Sequence, residues 1–117
     1  MNNKDYQVWA IKKERRYDTL TSRLNTRDFR LMHASMGLSG EAGELIDTIK
    51  KHIFYNKPLD VKNIKEEAGD ILWYIAIILD QVDSSFDEVM KLNQDKLEAR
   101  YPSGFTEQAA KDRADKK

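Results

Sequence analysis

Two acidic side chains, each with a second acid three positions on, fall where apolar ones belong. Read at three-four helical spacing, one stretch runs Leu31, Ala34, Leu38, Glu41, Leu45, Thr48, His52. Glu41 thus sits in an apolar seam, at a position where a bundle places Leu or Ile. A later stretch, Ile64, Glu67, Ile71, Tyr74, Ile78, is interrupted by Glu67 in the same way. Each acid has a carboxylate partner three positions on, Glu44 and Asp70, and residues at i and i+3 share a helix face. Burying an ionised carboxylate without a partner costs on the order of several kcal/mol, and clustered anions repel one another further. Lysine cannot compensate from the next turn, because i+4 from the four acids falls on Leu45, Thr48, Ile71 and Tyr74. A hard divalent cation can. Magnesium takes oxygen ligands, keeps several waters and is commonly shared with substrate phosphates. The absence of histidine at i+3 departs from the di-iron bundle pattern. Glu-x-x-Glu alone recurs on solvated helices; two acidic pairs intruding on the seams of consecutive helices carry the inference.

Holding these acids in register requires long helices, and the composition permits them. The 117 residues are 40% apolar and 34% charged, with two prolines. The spacing predicts a first helix over residues 3–17, then a connection over 19–25. Thr26 is the expected N-cap of a second helix reaching about residue 54, and Asp60 caps a third that reaches about 82. After Asp83 and Ser84 or Ser85, a fourth helix covers Phe86–Arg100, stopped by Pro102 and Gly104. The expected fold is an all-α antiparallel bundle of four main helices over residues 1–105. Residues 106–117 read as a charged tail, mobile or weakly helical.

Lys plus Arg and Asp plus Glu number 20 each, which gives no support to broad electrostatic binding of nucleic acid or membrane. With no cysteine, disulfide, thiolate and Cys-zinc chemistry are excluded. The first 17 residues are too polar for a secretory signal. The longest apolar run, residues 71–79, falls far short of the roughly 20 residues a membrane span needs. A soluble, cytoplasmic protein is expected.

The run from Gly37 through Leu38, Ser39, Gly40, Glu41, Ala42, Gly43 and Glu44 to Leu45, followed by Lys50 and Lys51, resembles the first signature of MazG-like nucleotide pyrophosphohydrolases. The run Glu66, Glu67, Ala68, Gly69, Asp70, Ile71, Leu72, Trp73, Tyr74 resembles their second. Tyr6-Gln7, Asn93, Lys96-Leu97, Arg100-Tyr101-Pro102 and Gly104-Phe105 are similar to the two ends of the compact single-domain members. The likeness spans about residues 6–105. It implies a helical core shared across an oligomer interface, in a homodimer or homotetramer. It also implies hydrolysis of (deoxy)nucleoside triphosphates to monophosphate and pyrophosphate, as nucleotide-pool housecleaning. It assigns Glu41, Glu44, Glu67 and Asp70 to magnesium, with manganese as a substitute, and Asn93, Lys96 and Arg100 to substrate, with Lys51 as a further contact.

The chemistry suits that assignment. A triphosphate enters an acidic site only if cations bridge the two. Lys96 and Arg100 stand at i and i+4, so both cationic heads reach one phosphate chain. Asn93 shares their face and falls in the seam Phe86, Met90, Asn93, Leu97, a third polar intrusion. Tyr74, one turn after Asp70, is a pocket residue on the same reasoning. Some relatives carry an acid immediately before the first ligand; here that position is Gly40. The general base is therefore left open between Glu44 and a water activated by the metal.

Gly37, Gly40 and Gly43 repeat every three positions with no phosphate-loop spacing, and read as bare backbone for a packed helix or for substrate. His33 and His52 read as structural or surface residues, Trp73 as core or interface, and the run Lys12, Lys13, Arg15, Arg16 as a solvated face. Two rivals remain at this level: a non-catalytic helical interaction protein whose acids form interhelical ion pairs, and a relative of phosphoribosyl-ATP pyrophosphohydrolases. The Arg-Tyr-Pro and Leu-Trp-Tyr runs fit the MazG-like group better.

Overall fold

The computed structural model describes residues 2–116; Met1 and Lys117, the outer ends of the two expected regions, lie outside the described residues. Helices begin where a side-chain oxygen can take an orphan backbone N–H. Asn2 does this for α1 (Asn3–Lys13), Asp60 for α4 (Val61–Gln81), Ser85 for α5 (Phe86–Arg100) and Thr106 for α6 (Glu107–Asp112). The longest helix, α3 (Thr26–Phe54), starts on a capping box in which Asn25 and Asp28 satisfy each other's backbone. That reciprocity places the cap one residue before the Thr26 expected from sequence. Between α1 and α3 the chain forms a short α2 (Asp18–Arg23), where a connection was expected. The first helix is correspondingly shorter than residues 3–17. The tail is helical in α6 and closes on a 3-10 turn, Ala114–Lys116. Among the described residues there is no strand, only an isolated bridge between Pro102 and Gly104. No helix among them is long and apolar enough to cross a membrane.

The chain reverses after α3 at Asn56 and after α4 at Asp83, both left-handed with φ of 51° and 53°. Asn and Asp tolerate that region better than most side chains. α3 and α4 form an antiparallel hairpin: Thr48 meets Asn63 near the turn, Glu41 faces Glu67, Gly37 faces Tyr74, and Arg30 pairs with Asp80 at the far end. A Cβ on Gly37 would lie 2.2–2.7 Å from three ring carbons of Tyr74. Glycine is what lets this aromatic ring lie against the α3 backbone. Gly40 and Gly43 face open space instead.

A single chain does not close a four-helix bundle. α5 packs chiefly on α6 and the 3-10 turn rather than on the hairpin. Among the described residues only Ala34 and Glu67 are buried, while Met36 (68%), Ile46 (67%) and Trp73 (58%) stay exposed. The radius of gyration is 20.5 Å, against roughly 13 Å for a compact domain of about 100 residues. The accessible surface is 9744 Å², where a compact monomer of 13.7 kDa exposes roughly 6,600 Å².

Candidate functional site

The hairpin register turns two sequence intrusions into one cluster. Glu41 projects from α3, and Glu67 and Asp70 from α4, with one carboxylate oxygen of each within 4.8 Å of the others. Glu67 is buried at 6% exposure, Glu41 is half-buried and Asp70 is exposed. One oxygen on each glutamate, Glu41 Oε2 and Glu67 Oε2, is buried without a hydrogen-bond partner. Among the described residues no lysine or arginine forms an ion pair with any of the three. The interhelical ion-pair reading therefore lacks its cations.

Electrostatics register the same crowding. The Glu67 carboxyl is held above the ordinary carboxylate range, first by the approach of the Glu41 carboxyl, then by burial. The charges of Glu41 and Asp70 push the same way, and Glu44 opposes. Buried, closely spaced anions are disfavoured until opposite charge arrives. The donor set is all oxygen, and two of its buried oxygens lack a partner. These residues fit a hard divalent cation.

Beside the cluster opens a cavity of about 700 Å³, within the usual size for a small-molecule site. Its charged lining includes Glu44, Asp47 and Glu67 with Lys51 and Lys57. Gly40 and Gly43 keep the α3 side low, and Pro58 and Asp60 form the wall at the turn. Lys51 pairs with Asp47 at 3.0 Å, and this holds the Asp47 carboxyl below its ordinary range. His52 Nδ1 lies 2.8 Å from the Lys57 carbonyl oxygen and ties the end of α3 to the turn, a structural role.

The expected site residues divide accordingly. Glu41, Glu67 and Asp70 come together, while Glu44 lies outside that trio but lines the cavity with Lys51. Tyr74 does not line it; the ring sits between the helices, 4.9 Å from Trp73 and edge-on to His33 at 6.1 Å. Asn93 and Lys96 are exposed on α5, off the cavity. Arg100 is held by Asp115 through two hydrogen bonds of 2.7 and 3.0 Å. Thr48, Lys57, Asp60 and Asn63 line the cavity unanticipated as site residues. Asn63 was detectable as the i−4 neighbour of Glu67 on one face.

Comparison with known proteins bears on the same segment. The family model for the MazG nucleotide pyrophosphohydrolase domain matches residues 32–105. The Gene 37 protein of Mycobacterium phage L5 is 32% identical over 78 residues, covering 63% of this chain and 68% of the phage protein. No solved structure matches.

Proposed function

Because the chain belongs to the MazG nucleotide pyrophosphohydrolase family, we propose that it hydrolyses nucleoside triphosphates to monophosphate and pyrophosphate at the α3–α4 cavity, with magnesium held by Glu41, Glu67 and Asp70. The observation that carries this reading is the three-carboxylate cluster across the hairpin, in which Glu41 and Glu67 each keep a buried oxygen without a partner. When bound there, the divalent ion supplies neutralisation of phosphate charge and acidifies a nearby water. Lys51 and Lys57, which line the same cavity, take the outer phosphates. Glu44 borders the cavity outside the three-carboxylate cluster, and in this reading it accepts a proton from the attacking water. Water adds at the α-phosphorus, the bond to the α,β-bridging oxygen breaks, and pyrophosphate leaves with that oxygen. Catalysis of this kind is mostly positioning and charge stabilisation, which two packed helices can hold rigid.

A second copy of the chain completes the molecule. The surface in excess of a compact monomer is on the order of 3,000 Å² per chain, about 6,000 Å² for two, at the upper end of what obligate dimers bury. Oligomerisation is also the route by which Asn93, Lys96 and Arg100 of α5 would approach a cavity that none of them lines within one chain.

Glu41→Gln and Asp70→Asn each remove a charge while keeping side-chain size. Both are expected to abolish pyrophosphate release with helical content by circular dichroism unchanged. Release of nucleoside diphosphate and orthophosphate by the wild type would overturn the assignment of the cleaved bond.

A further inference from the structure

The polar side chains behind Glu67 form a line with a direction. Thr48 Oγ1 on α3 donates to Asn63 Oδ1 on α4, and Asn63 Nδ2 donates to Glu67 Oε1 at 3.4 Å. Thr48 is half-buried, as is Asn63, and both line the cavity. A helical threonine commonly turns its hydroxyl back to the carbonyl one turn earlier; Thr48 reaches across the hairpin instead. The amide has two unlike ends. Turned over, it would set Oδ1 against Glu67 Oε1, acceptor against acceptor, and would leave the Thr48 hydroxyl without the oxygen it donates to. Ionised Glu67, which can only accept, therefore selects the orientation, and the Thr48 hydroxyl follows it by donating to Oδ1 and holds the amide in place. With Oε1 taken by Asn63, Oε2 is the Glu67 oxygen left buried without a protein partner.

From this we infer that Thr48 and Asn63 are positioning residues, which fix the Glu67 carboxylate so that Oε2 is presented to the divalent cation. The inference rests on the metal-site reading above and adds two residues to it. Ligating carboxylates are commonly oriented by hydrogen bonds of this kind, and loss of such a partner weakens metal affinity about 10–100-fold. The 3.4 Å separation of Asn63 from Glu67 puts the expectation at the weak end of that range. Asn63 also lies in the first turn of α4, where its backbone N–H is held by the Asp60 cap. The start of the helix and the aim of the ligand are thus set together.

The test is calorimetric titration of the metal-free protein with manganese chloride, alongside the magnesium dependence of pyrophosphate release. Asn63→Ala is expected to weaken manganese binding about tenfold and to raise the magnesium concentration for half-maximal activity in parallel. Thr48→Val, equal in shape but without the hydroxyl, moves both in the same direction by less, and Thr48→Ser restores them. Because the two act in series, the double variant Thr48→Val/Asn63→Ala is no worse than Asn63→Ala. Unchanged manganese affinity in Asn63→Ala, with only the thermal midpoint lowered, would overturn the positioning role while leaving the metal site standing. Failure of the wild type to bind manganese or magnesium would overturn both.

Discussion

Replacing Gly37 with alanine sets two effects against each other at one position. An alanine inside a helix gains about 1 kcal/mol over glycine. The new methyl, however, would stand 2.2–2.7 Å from the Tyr74 ring, and that ring is confined by Trp73 and His33. Overpacking of this kind costs about 1–3 kcal/mol, so Gly37→Ala is expected to lower the urea midpoint. Gly43→Ala meets open space and is expected to leave the midpoint unchanged or raise it. Equal effects of the two substitutions would refute the contact. Sequence alone could not separate these glycines, because their common spacing carries no information on which one faces α4. That choice is made by hairpin register. The burial of Glu67 was legible for the opposite reason: an acid inside an apolar seam is anomalous whatever its partner. Asn63 was not, since an amide in a first helical turn reads as ordinary capping chemistry.

Element boundaries followed local chemistry where a cap decided them. Asp60 and Ser85 start their helices as the sequence indicates, and α5 spans the expected residues. α2 escaped notice because six residues between two longer helices carry no periodicity to read. The tail illustrates a longer reach. Arg100 and Asp115 are fifteen positions apart, and no spacing rule joins them, yet their side chains are only 15% and 5% exposed in the pair they form. The Arg100 guanidinium holds the Asp115 carboxyl below its ordinary range. A carboxyl lowered in the folded state stabilises at pH above its unfolded value, roughly 3.9. The contribution is lost as pH falls through the lowered folded value. Asp115→Asn is expected to speed amide exchange in residues 107–116 at neutral pH without altering the α3–α4 hairpin. Unchanged exchange there would mean that the ion pair does not secure the tail.

At the scale of the molecule, the thin interior of a single chain governs the outlook. Met36, Ile46, Leu72 and Trp73 are large apolar side chains left more than half exposed, and a second copy of the chain would cover them. Light scattering at micromolar concentration is expected to give at least twice the 13.7 kDa chain mass, with a thermal midpoint that rises with protein concentration. Met36→Glu combined with Ile46→Glu is expected to shift the mass toward one chain. A monomeric wild type would refute the shared core. The sequence pattern showed helices with apolar faces, but apolar periodicity is the same whether a face meets its own chain or another, and so could not say where the core closes.

The close fit of Tyr74 on Gly37 also divides the hairpin into unlike halves. Toward the end of α4 lie Ile75, Ile77, Ile78 and Leu79; toward the turn lie Glu41, Glu67 and Asp70, whose like charges crowd one another. Loss of a cation from the proposed site is then expected to speed amide exchange in the turn-side half of the hairpin and to leave exchange beyond Tyr74 unchanged.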